Sequence, residues 1–206
     1  IDQGHIRIQD YPFQRYKAKR AKGKSTHLLP EEIQKLENLV LSGRAQSLTH
    51  TLEAFLFCCY TGLRYSDFTN LSEKTIIITQ KKPWIILNTV KTVTEVKLPL
   101  SLLFEGKAWN LLQKHKGQWN EFFNLKTNST VNKELIRIAS LAGIEKHFSF
   151  HSARHTCATL LIYNGANITT VQKLLGHRNV ATTQIYSNIM ESTVVKDLKK
   201  CAKENR

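Results

Sequence analysis

The chain has 206 residues, with 30 lysines and arginines against 16 acids, a formal charge of +14 and a pI near 9.7. No run of about 18 apolar residues occurs and the N-terminus lacks a charged-then-apolar signal pattern, which excludes a helical membrane span and argues for a cytoplasmic protein with no membrane partner. A length of this order suits one folded domain, and the cationic excess calls for a polyanionic partner, with nucleic acid the first candidate.

The four cysteines, Cys58, Cys59, Cys157 and Cys201, include no C-x-x-C pair. They are expected to be reduced and buried, not a disulfide framework or a zinc knuckle. The chain opens on Ile1, as expected of a piece of a longer protein.

In chain order, residues 1–28 read as a basic arm or linker. No acid lies between Tyr11 and Pro30, while Arg15, Lys17, Lys19, Arg20, Lys22 and Lys24 supply positive charge suited to the backbone of a DNA duplex. The folded domain is expected over 29–190. Its first helix is expected to open at Pro30, with Glu31 and Glu32 in the first turn, and to run through Leu39 and Val40 to Ser42-Gly43. A second helix over 47–60 is apolar on most sides, as a central core helix would be. Gly62 then provides a left-handed stop, after which Arg64 and Asp67 stand three residues apart.

Residues 75–79, 84–87 and 94–98 are β-branched or alternating and are separated by short polar segments, the pattern of a three-stranded antiparallel meander. Lys91-Thr92 falls in the second hairpin, and Lys81 and Lys82 in the first. From residue 100 onward the chain reads as helices: Leu102–Lys114, a segment through Val131, Leu135 and Ile138, one opening near His151, one over Thr169–Leu175 closed by Gly176, and one capped by Asn179 that carries Tyr186. A basic amphipathic segment, 191–206, ends the chain. The fold class is α+β, mainly α-helical with a small three-stranded antiparallel sheet.

The chemistry concentrates between His151 and Tyr186. His151 and Arg154 lie three apart, on one face near a helix start where backbone N–H groups favour an anion. His177 follows a glycine cap, and Tyr186 follows nine residues later. Arginine forks and imidazole N–H groups suit the non-bridging oxygens of a phosphodiester at its transition state. Cations nearby lower the cost of a nucleophilic tyrosinate. His151 and His155 also have the i, i+4 spacing of a zinc pair, but no glutamate follows His151 as a metalloprotease motif requires. No G-x-S-x-G elbow supports a serine hydrolase.

Thr61-Gly62-Leu63-Arg64 with Asp67, Lys91-Thr92, His151-Ser152-Ala153-Arg154-His155, Leu174-Leu175-Gly176-His177 and Tyr186 together resemble the signature of the tyrosine recombinases, the phage-integrase family. The resemblance implies the catalytic-domain fold of that family, and a site-specific recombinase that cuts and rejoins DNA strands through a 3′-phosphotyrosine ester without metal, ATP or organic cofactor. It implies Tyr186 as nucleophile, Arg64 and Arg154 as a clamp on the scissile phosphate, and His177 as a hydrogen-bond donor to it. His151 would be an acid/base or positioning group, Lys91 the general acid, with Lys81 and Lys82 the alternatives, and Asp67 a supporting acid.

It further implies double-stranded DNA as partner and a tetramer on paired sites, joined by accessory DNA-bending proteins. Residues 191–206 would pass to a neighbouring protomer or pack in cis, and the basic arm would lead to a separate DNA-binding domain. A role in a bacterial mobile element is the biological expectation. A relaxing enzyme of the type IB topoisomerase kind and a catalytically inactive DNA-binding regulator remain the alternatives.

Overall fold

Helix α2 (Thr49–Thr61) sits at the centre of the molecule, and every residue from Ala54 to Thr61 is buried. The computed structural model describes residues 26–187. Around α2 pack α1 (Pro30–Glu37), α4 (Lys107–Lys114), α5 (Trp119–Phe123), α6 (Asn128–Leu141) and α7 (Phe150–Tyr163). Short helix α3 (Tyr65–Thr69) follows α2 directly, and α8 (Ile168–Leu175) and α9 (Ala181–Ser187) pack on α7 and on each other. Strands β1 (Ile76–Thr79), β2 (Lys82–Asn88) and β3 (Glu95–Pro99) form one antiparallel sheet in sequence order. The fold class is therefore the expected one.

Local chemistry accounts for most of the boundaries. Gln80 and Lys81 both have positive φ, the two-residue turn whose twist matches a hairpin, and they set Thr79 opposite Lys82. Along β3, Val96 and Leu98 point inward while Glu95 and Lys97 face out, the two-residue period of a strand with one buried face. The side chain of Thr127 accepts from the Thr130 N–H at the start of α6, and that of Asn179 accepts from the Ala181 N–H at the start of α9. Leu29 has no capping oxygen, and the Glu32 carboxylate accepts the Leu29 N–H instead (2.7 Å).

Three expected boundaries are corrected. Helix α1 stops at Glu37 with Asn38 as its C-cap, and beyond it Leu39 and Leu41 still pack against the core while Val40 between them is 86% exposed, because the helical spacing no longer applies. The helix expected from Leu102 starts at Lys107: Phe104, Glu105 and Gly106 all have left-handed backbones, which no α-helix accommodates. The arm drawn to residue 28 from charge gives way to folded chain earlier, since Leu28 is fully buried and donates its N–H to the Thr156 hydroxyl (2.9 Å). The six basic arm residues, Cys201 and the 191–206 segment lie outside the described residues.

One aromatic cluster anchors the part of the fold that matters next. Phe68 on α3 is fully buried and meets Phe57, Phe122, Phe123 and Phe150 at ring-centroid distances of 5.5–6.3 Å. Edge-to-face pairs of this kind add about 0.5–1.5 kcal/mol each beyond area burial. They fix a helix of only five residues, which could not hold its own conformation. Phe68→Ala is expected to cost about 3–5 kcal/mol in urea denaturation, and a loss below about 1 kcal/mol would show that the cluster does not anchor α3.

Candidate active site

Two helix ends meet at one buried guanidinium. Helix α2 ends at Gly62 (φ +71°) and α8 ends before Gly176 (φ +63°), both left-handed caps. Arg154, 3% exposed in the middle of α7, donates to the Gly62 carbonyl (2.8 Å) and to the Leu175 carbonyl. A Cβ on Gly62 would lie 2.4 Å from Leu175 Cδ2 and 3.3 Å from Cys157 Sγ, so the close approach of these turns needs glycine as much as the backbone angle does. Burial and the nearby Arg64 charge lower the Arg154 pKa to about 10, which leaves it charged at neutral pH. Among the described residues no carboxylate forms an ion pair with it, and the Asp67 charge reaches it without contact.

Arg64 sits two residues past Gly62, at the N-cap of α3, with its side chain largely buried. Its guanidinium meets Asp67 at 3.4 Å. Asp67 is buried, and its other oxygen accepts the Val90 N–H (2.8 Å), so one carboxylate ties Arg64 to the β2–β3 loop. Lys91 is the next residue in that loop, exposed at its tip.

The loop is fastened from the other side as well. The Thr92 hydroxyl reaches the Gly176 carbonyl (3.4 Å), and Arg178 donates to the Thr92 carbonyl (2.6 Å). A Cβ on Gly176 would lie 2.8 Å from Val96 Cγ2, so this glycine is what lets the His177 turn lie against β3. Lys91 is the lysine whose charge acts on His151, while Lys81 and Lys82 stand in the first hairpin.

His177 shares a hydrogen bond between its Nδ1 and the Thr183 hydroxyl on α9 (2.9 Å). Burial, then the charges of Arg154 and Arg64, push its pKa down to about 4. His151 is lowered by burial and by Arg154, Arg64 and Lys91. Its ring meets that of His155, one turn on, edge to face with centroids 4.7 Å apart. Tyr186 is almost fully buried against Ala158, Val171 and Leu175, and its hydroxyl lies 2.7 Å from His155 Nδ1. Burial raises the phenol above its usual range, opposed by the pull of Arg154 and Arg64.

The structure thus gathers Arg64, Asp67, Lys91, His151, Arg154, His177 and Tyr186 from five segments of chain into one electrostatically coupled cluster. The second basic set, in the arm, lies outside the described residues. Arg178 and Thr183 were not singled out from sequence, and Thr92 and His155 stood in the quoted motifs without a role. The i, i+4 spacing of His155 with His151 serves a ring contact, and His155 also meets Tyr186. Among the described residues no group of three or more histidines, cysteines or acids is placed to hold a metal ion. Cys157, against Gly62, is pushed up to about 12 by burial and is no nucleophile at neutral pH.

Among the described residues, the cations Arg64, Arg154 and Lys91, with Arg178 bonded to the same loop, outnumber the Asp67 carboxylate. Guanidinium N–H groups not used on carbonyls, together with imidazole donors, are what an oxyanion needs.

Comparison with known proteins bears on this geometry. The phage integrase family profile matches residues 26–192. A tyrosine recombinase of Pseudothermotoga lettingae is 30% identical over 168 residues, covering 80% of this chain and 56% of that protein. A tyrosine recombinase XerC of Caldanaerobacter subterraneus subsp. tengcongensis is 33% identical over 179 residues, covering 81% and 48%. The chain spans about half the length of these curated relatives. Among solved structures, a XerA recombinase superposes with a TM-score of 0.63 at 22% identity, covering 93% of this chain and 68% of that one. A lambda integrase tetramer bound to a Holliday junction gives 0.70 at 18% identity, covering 90% and 54%. At such identities the structural likeness speaks to fold alone.

The depressed histidines make stability depend on pH. A histidine whose folded pKa lies near 4, against about 6.5 unfolded, binds fewer protons folded than unfolded between those values. Stability is then complete above about pH 6.5 and is lost as pH falls toward about 4. Urea denaturation in steps from about pH 7 to about pH 5, above the carboxylate range, is expected to show this loss, and a His155→Asn, His177→Asn double variant to lose much of the slope. An unchanged slope would mean that these rings titrate normally.

Proposed function

The chain belongs to the phage integrase family, the tyrosine recombinases, and on that premise we propose that it cuts and rejoins DNA strands through a 3′-phosphotyrosine intermediate. The observation that carries the reading is the buried Arg154 guanidinium, charged and without an acid partner among the described residues, beside Arg64, His177 and Tyr186. An uncompensated buried charge costs several kcal/mol, and a phosphodiester entering the site offsets that cost.

In this mechanism Arg64 and Arg154 hold the non-bridging oxygens of the scissile phosphate as negative charge builds on them. His177, neutral at working pH, donates its Nε2–H to the same phosphate when the Thr183 hydroxyl donates to Nδ1. A preorganised donor of this kind is worth about 3–4 kcal/mol at the transition state. The Tyr186 oxygen attacks phosphorus, and the bond from phosphorus to the 5′-oxygen breaks. Lys91, on a loop held at both ends, protonates that oxygen. His151 supports the histidine beside it, and Asp67 positions Arg64 and the Lys91 loop. A 5′-hydroxyl from a partner strand reverses the attack. The ester retains the energy of the broken bond, so no nucleotide cofactor enters.

Double-stranded DNA is the proposed substrate, with Arg15, Lys17, Lys19, Arg20, Lys22 and Lys24 neutralising its backbone. The lambda integrase tetramer on a Holliday junction supports a tetramer on paired sites as the working assembly. Integration or excision of a mobile element is the proposed setting.

A pool of nicked duplexes with randomised arms would trap the covalent adduct and identify the site. Tyr186→Phe is expected to retain duplex binding in a gel-shift assay and to form no adduct; an adduct in that variant sinks the reading. Lys91→Ala is expected to slow cleavage by at least about 10²-fold and to be rescued when sulfur replaces the bridging 5′-oxygen, because a thiolate leaves without a proton. Rescue of a Lys81 or Lys82 variant instead would move the acid to the first hairpin.

A further inference from the structure

We infer that His155 is the proton acceptor for Tyr186, taking the phenolic proton as the tyrosine attacks and returning it when the phosphotyrosine is resolved. The inference deepens the proposal above and rests on Tyr186 being the nucleophile.

The geometry is direct. His155 Nδ1 lies 2.7 Å from the Tyr186 oxygen, within the reach a general base needs. Tyr186 is 3% exposed and backed by Ala158, Val171 and Leu175, so bulk water is poorly placed to take the proton. The other histidines are engaged differently: His177 uses Nδ1 on Thr183, and His151 meets the edge of the His155 ring. Asp67, the buried acid of the site, is occupied by Arg64 and the Val90 N–H.

Among the described residues, the titratable groups that act on His155 are cationic or neutral, the phenol included. His151 and Arg154 act on it from its own helix, His27 from the segment before α1, and its charge acts on His177 beyond α8, while Tyr186 faces it from α9. Burial and these neighbours push His155 down to about 4, so its ring carries a free lone pair at neutral pH. The same cations make imidazolium costly until an anion arrives. A phosphodiester held by Arg64 and Arg154 cancels part of that field and makes His155 more basic. Proton abstraction is thereby coupled to occupation of the site by DNA.

The step balances. The phenolic proton moves to Nδ1 and the freed electron pair forms the bond from oxygen to phosphorus. The bond from phosphorus to the 5′-oxygen breaks, and that oxygen takes a proton from Lys91. In the reverse direction imidazolium protonates the departing tyrosinate as the 5′-hydroxyl attacks.

The test uses the full chain and a nicked duplex recovered from the randomised pool, with single-turnover adduct formation followed from about pH 5 to about pH 10. Wild type is expected to be near its plateau at neutrality. His155→Ala is expected to be about 10²-fold slower there and to close on wild type as rising pH ionises the phenol unaided. His155→Asn, whose amide sits where Nδ1 was and can still hydrogen-bond Tyr186, is expected to be as slow as the alanine variant at neutral pH. Equal DNA binding by all three proteins confirms that they fold. A Tyr186-dependent adduct that forms at the wild-type rate without His155 overturns the assignment alone. So does a pH-independent deficit that asparagine repairs, which would reduce His155 to a positioning role. No adduct in wild type, or one that persists in Tyr186→Phe, overturns the nucleophile reading and this inference with it.

Discussion

The site depends on one arrangement: a guanidinium bonded to two backbone carbonyls at the C-terminal ends of two helices. Gly62 caps α2 and Leu175 closes α8, and Arg154 reaches both. A helix C-terminus carries partial negative charge and unpaired carbonyls, so two of them converging on one cation offset part of its burial without supplying a full countercharge. An aspartate in their place would hold the arginine as firmly but would neutralise it. Carbonyls hold it and leave its charge available. That choice also sets distances, since Arg64 lies two residues beyond Gly62 and His177 two beyond Leu175. Both are carried by turns that Arg154 clamps.

The sheet is the second half of the same design. It buries Ile85, Val96 and Leu98 in the main core, and its outer loop is tied down at several points. Asp67 receives the Val90 N–H, Thr92 reaches the Gly176 carbonyl, and Arg178 holds the Thr92 carbonyl. Asp67 therefore works on two elements at once, Arg64 and the Lys91 loop. An exposed lysine on a free hairpin would sample a wide volume, and fastening the residues on either side restricts the stem from which Lys91 reaches. The four contacting rings that fix Phe68 extend this restraint into the core, because Phe68 adjoins Asp67 on a helix too short to be stable alone.

Local rules made much of this legible in the sequence. Apolar periodicity located the helices and strands, and the glycine stops at Gly62 and Gly176 were readable from turn chemistry. The proposed catalytic positions came from motifs that resemble the family signature, and their residue types suit a phosphate. Where periodicity was extended past a helix end it failed, as at Val40, and it could not foresee the left-handed run at Phe104–Gly106, which only the path from β3 into α4 requires. Contacts between distant segments were likewise hidden. Nothing in the spacing of Thr92 and Gly176, or of His155 and Tyr186, signals that they touch, because each pair meets through the packing of separate elements. The hairpin positions of Lys81, Lys82 and Lys91 were legible from the strand pattern, whereas the action of the Lys91 charge on His151 was not.

The protonation states of the histidines follow from the same excess of positive charge. His151, His155 and His177 are all depressed by burial first, then His151 and His177 by Arg154 and Arg64, and His155 by His151 and Arg154. A neutral imidazole is the more versatile group, donating from one nitrogen while accepting at the other, whereas imidazolium can only donate. A field strong enough to attract a phosphate thus keeps the rings around it in the form that can both donate to it and take a proton. In the proposed reaction a bound phosphate would weaken that field, and the site would become more tolerant of the imidazolium that proton transfer creates. Anion binding and base strength would then not be independent properties of this site. Both would follow from the balance between Arg64, Arg154 and Lys91 on one side and Asp67 on the other, and a second buried carboxylate beside Arg154 would weaken the proposed phosphate clamp while raising the histidines into their protonated form.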